Sequence, residues 1–341
     1  MEVQVKLDSE TVTEENMRQG YLQYRTGQFL LMFEEAKKRG IISYLAQPRT
    51  FDQIANHFGF VRALKGLHGV LDALTWFGIV KRDNSGSQET YQLIEGYSLP
   101  SVDQTLLRVG VGEKGIDSLK QIGAFSHIFS YMKGEDEGVH FDADNEELWE
   151  QFLEYPYYAF GRDRAVHFIS YAGAKVLDFG AGLGHGTETI AELVGTKGRA
   201  VAIESSFDFV NTAKERLASI PQAEVMHLDM QMDLVSELGE NAFDGAMFIG
   251  AFHYVKDKLA CLKNLARVIR PGGRLVIGNT CTKNGALDEG MLTFGTAMIT
   301  PPAYSVPPQE LYQYFEATGF DMEHEYFFGC QGWFFLSLRD E

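Results

Sequence analysis

The sequence predicts an α/β fold: a mainly parallel sheet in the C-terminal half, preceded by a mainly helical domain. Three observations predict it. Short apolar runs ending in acids or glycines recur from Val176 to Ile277, as the buried strands of a parallel sheet do. The N-terminal third shows leucines at helical spacing instead. An apolar fraction of 45% over 341 residues supplies core for two domains.

In chain order, the segment from Leu30 to Gly40 reads as the end of a helix capped by glycine. Thr50-Phe51-Asp52-Gln53 is a capping box that opens a short helix reaching Gly59. Leu64, Leu67, Leu71 and Leu74 mark the apolar face of the next helix. Ile79-Val80-Lys81-Arg82 and Thr90-Tyr91-Gln92-Leu93-Ile94, joined by a turn at Asn84-Ser85-Gly86, form a hairpin. Helices followed by a hairpin in this order resemble a winged helix, a fold that often reads DNA through its last helix. Here that helix, Val61 to Trp76, offers only Arg62 and Lys65 as strong bases.

A connector follows. Its Gly134–Glu150 stretch holds eight acids and no lysine or arginine, and reads as solvated chain. Leu148 to Phe152 and Tyr155 to Ala165 read as helices.

Val176-Leu177-Asp178-Phe179 then reads as a buried strand ending at a glycine turn, Gly180-Ala181-Gly182-Leu183-Gly184, and the start of a helix. Glycine there lets a ligand lie on the backbone, and the helix N-terminus offers N–H groups to an anion. The spacing is D-x-G-x-G-x-G, which is not the G-x-G-x-x-G of a dinucleotide site. Arg199 to Glu204 reads as a second strand ending in an acid 20 residues after Gly184. Ala223 to Met230 reads as a third strand carrying Asp229, and Phe243 to Gly250 as a fourth. Arg270-Pro271-Gly272-Gly273-Arg274 reads as a turn into a fifth strand, Leu275-Val276-Ile277. Asp178 and Glu204 are also suited to cap the helices that follow them.

This ordered set resembles the class I S-adenosylmethionine-dependent methyltransferases over Ala174 to Glu341. With the winged-helix-like region, it resembles the small-molecule O-methyltransferases of natural-product pathways, and in size and charge the methylthiohydroxybutyrate S-methyltransferases of dimethylsulfoniopropionate synthesis. The resemblance implies a Rossmann-like sheet of seven strands closing on a hairpin near Glu323–Phe328 and Trp333–Leu338. It implies three regions: a winged-helix dimerisation domain at 1–105, a helical acidic connector lining the acceptor site at 106–160, and a catalytic domain at 161–341. It implies S-adenosylmethionine as co-substrate, held by Asp178, Gly180, Gly182, Gly184, Glu204, Ser205, Asp229, Met230 and Gly250. The acceptor is expected between Gly250–Tyr254, the 155–164 helix and the 294–304 segment, against Tyr157, Tyr158, Arg162, Phe252 and Tyr254. His253 takes the position of the family's base, with Tyr304 and Arg164 as further catalytic candidates.

Two departures from the family pattern bear on the chemistry. The family flanks its histidine with carboxylates, where this chain has Gly278-Asn279 and Pro301-Pro302-Ala303-Tyr304-Ser305-Val306. The family's apolar methionine on the interdomain helix is replaced by Arg162 and Arg164. Guanidinium groups bind carboxylates in two-pronged fashion. A small thioether acid has no proton to lose, so its methylation needs alignment and no base. The alternatives are O-methylation of a phenolic or other hydroxyl with His253 as base, or C-methylation of a 2-keto acid.

Composition narrows the partners. A formal net charge of −17 argues against nucleic acid and anionic membrane. It also weakens a different class, a winged-helix regulator sensing S-adenosylmethionine; the glycine register weakens a nicotinamide oxidoreductase. Cys261, Cys281 and Cys330 form no metal or disulfide framework, and no metal is expected. No apolar run reaches membrane length and no signal-peptide pattern opens the chain, which predicts a cytoplasmic protein, and the family resemblance implies a homodimer.

Overall fold

The computed structural model describes residues 5–7, 10–121, 124–229, 233–282 and 288–340. Met230 lies outside them. The chain divides into two compact units. One comprises Lys6–His140 together with Lys283–Pro302, and the other is built from Phe141–Thr282 and Ala303–Glu341.

In the first unit a long helix, Glu14–Lys38, starts where the Thr13 side chain accepts the Asn16 N–H. Gly40 stops it with a φ of 85°, a conformation open to glycine at little cost. The capping box at Thr50 and Gln53 is formed in both directions and opens the helix Phe51–Phe58. In the helix Lys65–Trp76, Leu67, Leu71 and Leu74 are fully buried. Leu64 precedes that helix and is 39% exposed, so the apolar face begins one residue set later than the leucine spacing implied. Strands Val80–Asp83 and Thr90–Leu93 make the hairpin, and Arg49–Thr50 adds a third strand to it.

The 283–302 excursion was not legible in the sequence. Its helix Glu289–Gly295 packs backbone to backbone on Lys65–Trp76, because both carry glycine at the crossing. A Cβ on Gly69 would lie 2.6 Å from the Gly290 carbonyl oxygen, and one on Gly290 would lie 2.7 Å from the Ala73 nitrogen. Met291 and Phe294 then complete an apolar cluster with Phe29, Leu71 and Phe129. Asp288, fully buried, accepts the Tyr21 hydroxyl at 2.7 Å.

The second unit holds a seven-stranded sheet. Its strands are β1 (Lys175–Phe179), β2 (Arg199–Glu204), β3 (Ala223–His227), β4 (Phe243–Ile249), β5 (Ile269–Thr280), β6 (Phe320–Phe328) and β7 (Gln331–Leu338). Their order across the sheet is β6-β7-β5-β4-β1-β2-β3. Strands β1 to β5 pair in parallel, and β7 enters antiparallel between β5 and β6. This is a Rossmann-like sheet. The strand order reverses between β1 and β4, and ligands of such sheets bind at the carboxyl ends of the strands there. The expected Pro271-Gly272-Gly273 turn is not a separate turn. The helix Lys258–Val268 runs straight into β5, and the three residues form a bulge where pairing shifts between Ile269 and Arg274.

The sheet's apolar runs account for its burial. Leu177, Phe179, Ile203, Phe248 and Ile277 are each fully buried in one cluster with the helix residues Leu262 and Leu265. No described helix is long and apolar enough to cross a membrane.

Candidate active site

The site is assembled at the ends of β1, β2, β4 and β5. The glycine turn after β1 has Gly180, Gly182 and Gly184 all at positive φ, 71°, 56° and 89°. No residue with a Cβ takes three such conformations in five without strain. Behind the turn, the helix His185–Val194 starts at Gly184 without a side-chain cap, so its first N–H groups have no capping side chain.

Two acids hold the turn. Glu204, at the end of β2, accepts the N–H of Gly182 at 2.8 Å, of Ser205 at 2.7 Å and of Ser206 at 2.8 Å. Its Oε2 takes only the Gly182 donor and keeps acceptor capacity. Asp178, almost fully buried, accepts the Thr187 hydroxyl at 2.6 Å. Burial pushes its carboxyl up to about 7, against the pull of Thr187 and Arg162. Asp229 is exposed just beyond β3, and Ser205 is exposed beside Glu204. Met230 is outside the described residues.

The helix Pro156–Ile169 lies over these strand ends, and it sorts its own side chains by position. Tyr158 and Arg162, four residues apart, share a face. Arg164 faces another way and stacks on the Tyr326 ring of β6, 4.5 Å from its centroid. The structure therefore does not bring Arg164 to His253. Arg162 lies beside β1: its Cδ is 3.6 Å from where a Cβ on Gly186 would stand, and Asp178 is 3.0 Å from that same point. Arg162 Nη1 donates to the Leu153 carbonyl, while its buried Nε has no hydrogen-bond partner. The guanidinium thus lies beside Asp178 and the helix that follows the glycine turn, a place the sequence reading had not assigned to it.

Tyr158 reaches β4. Its hydroxyl sits over Gly250, so that any Cβ there would collide with it. Its ring meets Trp333 edge to face at 6.1 Å. Burial pushes the Tyr158 phenol upward, so it stays protonated. Tyr157 packs with Phe152 and Tyr155, and Tyr254 against Phe141 at 5.0 Å. Phe252 turns into the apolar core, against Phe248, and is fully buried. The 3-10 turn Phe252–Tyr254 spreads its three side chains about 120° apart, so Phe252 points into the core while His253 and Tyr254 take other directions.

His253 is buried, and its Nδ1 has no hydrogen-bond partner. Desolvation pushes its imidazole down to about 3, and the Lys258 charge adds to that; the neighbouring Asn279 amide pulls weakly upward. Asn279, 1% exposed, donates its Nδ2 to the Thr280 carbonyl, and its Oδ1 is also without a hydrogen-bond partner. The Trp333 Nε1 is a third such atom. Tyr304 has a 41% exposed side chain, and its backbone N–H donates to the His253 carbonyl at 2.6 Å. Buried polar atoms are nearly always paired, so these atoms stand out; the His253 and Asn279 atoms are neighbours, while the Trp333 indole lies apart, against Gly161, Gly278 and Tyr158.

Sequence reasoning missed four residues. Asn279 had been read only as a missing carboxylate, and Trp333 only as part of a hairpin. Glu150 ties the connector helix Glu146–Leu153 to the turn, through His185 at 3.0 Å and Arg216 at 2.6 Å. Lys258 is buried beneath the His253 loop. A buried lysine or a distant acid leaves no local pattern in a sequence.

Comparison with known proteins bears on the domain and the fold. A family model for a methyltransferase domain matches residues 177–277. The chain is 28% identical over 160 residues to the O-methyltransferase resE of Aspergillus sclerotiorum, covering 47% of this chain and 59% of that protein. The chain spans between 30% and 59% of the length of the curated relatives it matches first. Two solved structures share the fold across nearly the whole chain. The CurJ carbon methyltransferase aligns with a TM-score of 0.64 and 16% identity, covering 96% of this chain and 92% of that one. The CMeT domain of the citrinin polyketide synthase aligns at 0.65 and 14%, covering 96% and 90%. Residues 177–277 are thus a methyltransferase domain.

The residues present fit S-adenosylmethionine. The left-handed glycine turn, the buried Arg162 Nε and the spare acceptor of Glu204 suit a ligand with a carboxylate at one end and hydroxyls at the other.

Proposed function

We propose that this protein is an S-adenosylmethionine-dependent methyltransferase that methylates a small-molecule acceptor by alignment, without a general base. The favoured acceptor class is a small thioether carboxylic acid, methylated on sulfur. The observation that carries the base-free part is the neighbourhood of His253: its buried imidazole lies beside the Asn279 amide and the Lys258 ammonium, and both burial and that charge push its proton affinity down. An imidazole placed so is poorly suited to take a proton from a phenol.

The bound co-substrate supplies an electrophilic methyl group. The chain's own residues then have three tasks. The glycine turn, Arg162 and Glu204 hold the ends of that molecule. Gly250 and Tyr158 fix the place where its reactive centre meets the acceptor. Tyr158, Tyr254 and Trp333 exclude water from that place and offer aromatic faces to a cation. With Arg162 serving the co-substrate carboxylate, an acceptor carboxylate falls to the open Nε1–H of Trp333.

A second reading keeps proton abstraction, as O- or C-methylation. It is favoured by one curated relative named an O-methyltransferase and by two structural neighbours named for carbon methylation. On either reading the helical unit, with its capped helices and three-stranded hairpin sheet, serves as a winged-helix dimerisation domain, which sedimentation equilibrium tests.

The deciding experiment follows release of S-adenosylhomocysteine with two acceptor panels, thioether and keto acids against phenols and catechols. Turnover confined to a thioether acid is expected. Turnover of phenols that rises with pH transfers the assignment to the second reading.

A further inference from the structure

We propose that Lys258 is a positioning residue whose buried ammonium clamps the 304–306 segment to the loop carrying His253. The inference rests on the methyltransferase reading only for its purpose, which is to set the acceptor-side groups relative to Gly250. The clamp itself rests on geometry.

Lys258 opens the helix Lys258–Val268 and is only 4% exposed. Both facts are unfavourable for a cation. The N-terminus of a helix repels positive charge, and burial strips its water. The compensation is specific. Its Nζ donates to the Val255 carbonyl at 2.7 Å and to the Tyr304 carbonyl at 2.6 Å. It also lies 5.5 Å from the centroid of the Phe252 ring. One charge therefore joins the loop after β4 to a segment about fifty residues away in sequence.

Neighbouring bonds run through the same two segments. The Tyr304 N–H donates to the His253 carbonyl at 2.6 Å. The Thr282 N–H, at the end of β5, donates to the Val306 carbonyl at 3.1 Å. Without Lys258, the carbonyls of Val255 and Tyr304 would face each other with no donor from it between them. The backbone bond that holds His253 in place would then have to withstand their repulsion.

The groups that face the ammonium are His253 on the loop, Cys261 on its own helix, Cys281 after β5 and Glu310 on the helix Pro308–Ala317, with Asp257 next in sequence. Burial outweighs the thiols and Glu310 and pulls the ammonium down to about 8. The Cys261 thiol is pushed up to about 12 and His253 down to about 3, so neither changes charge near neutrality. The clamp accordingly carries full charge at pH 7 and loses it a little above.

The test measures amide hydrogen exchange of wild type, Lys258→Met and Lys258→Arg from pH 7 to 9, corrected for intrinsic rates, beside calorimetric binding of S-adenosylhomocysteine. In Lys258→Met the Tyr304 amide should exchange about tenfold faster or more, with Val276 in β5 unchanged. Wild-type protection of Tyr304 should fall as pH passes 8, and Lys258→Arg should restore it and remove that fall. Unchanged Tyr304 protection in Lys258→Met, or the same pH-dependent fall in Lys258→Arg, overturns the clamp. A wild-type chain that binds no S-adenosylhomocysteine overturns the methyltransferase reading, and with it the clamp's purpose, whatever the exchange shows. With an acceptor in hand, Lys258→Met should change its KM and kcat while the KM for S-adenosylmethionine stays the same.

Discussion

The two halves of the site are built on opposite principles. At β1 and β2 the acids are paired, since Glu204 takes three backbone N–H donors and Asp178 takes the Thr187 hydroxyl, while the Arg162 Nε stays open. At β4, β5 and β7 the buried Nδ1 of His253, Oδ1 of Asn279 and Nε1 of Trp333 find no hydrogen-bond partner. A turn that must receive one fixed co-substrate is best completed in advance, since preorganisation costs nothing at the moment of binding. A pocket that must recognise a particular acceptor keeps its polar atoms open, and each one left unmatched by a wrong ligand costs about 1–3 kcal/mol. On the proposed reading, the contrast assigns selectivity to the second half.

The largest effect is expected where the halves meet. Gly250→Ala puts a methyl group into the Tyr158 hydroxyl at a φ of 73° that alanine resists. Turnover should fall by about a hundredfold or more, as misplacement by an ångström does. Gly250→Ala paired with Tyr158→Phe, which removes the colliding atom, should recover part of the loss. If Gly250→Ala alone turns over normally, the junction of the two halves lies elsewhere.

Arg162→Met should act on the first half alone. Removing a charge-assisted pair weakens S-adenosylmethionine binding by about 10- to 100-fold, read by calorimetry, with the acceptor KM unchanged. A changed acceptor KM with intact co-substrate binding would return Arg162 to the acceptor, where the sequence first placed it.

The same contrast explains what the sequence revealed. The first half is written in local chemistry. Glycines at 180, 182 and 184 are required by backbone conformation, and acids stand at the ends of β1 and β2, so the strand–turn–helix unit could be read from consecutive residues. The second half is written in contacts between distant segments. Asn279 meets His253 only because β5 lies beside β4, and Trp333 arrives on β7 through an antiparallel return. Arg162 and Arg164 looked equivalent along the chain, yet their two-residue separation sends them to opposite sides of one helix. The backbone crossing at Gly69 and Gly290 was hidden for the same reason, since nothing in either helix names its partner.

Asp178 sharpens the comparison through stability. Burial raises its carboxyl to about 7, whereas in the unfolded chain it ionises near its ordinary value. A raised pKa means the folded state holds the extra proton, so the associated stability is complete below about pH 4 and is lost as pH rises through 7. Asparagine carries no such dependence. From pH 5 to pH 8, Asp178→Asn should therefore gain on wild type by about 1–3 kcal/mol in urea denaturation, while its co-substrate binding weakens. A difference between the two proteins that does not vary with pH would mean that Asp178 is already ionised in the folded state.

His253 is where the smallest effect carries the most meaning. In a base-dependent enzyme its removal costs about 10²- to 10⁴-fold and the rate follows a titration. Here the imidazole is neutral well below physiological pH and has an amide, not a carboxylate, for a neighbour. His253→Ala should therefore lower kcat/KM by less than about tenfold, through looser packing beside Tyr254. Any step in wild-type turnover between pH 5 and 7.5 should belong to Asp178, persisting in His253→Ala and vanishing in Asp178→Asn, since Lys258 keeps its charge there. Abolished turnover in His253→Ala with intact S-adenosylmethionine binding would instead show that the open half of the site abstracts a proton. The unpaired atoms there would then be read as a base awaiting its substrate, and not as a frame that aligns one.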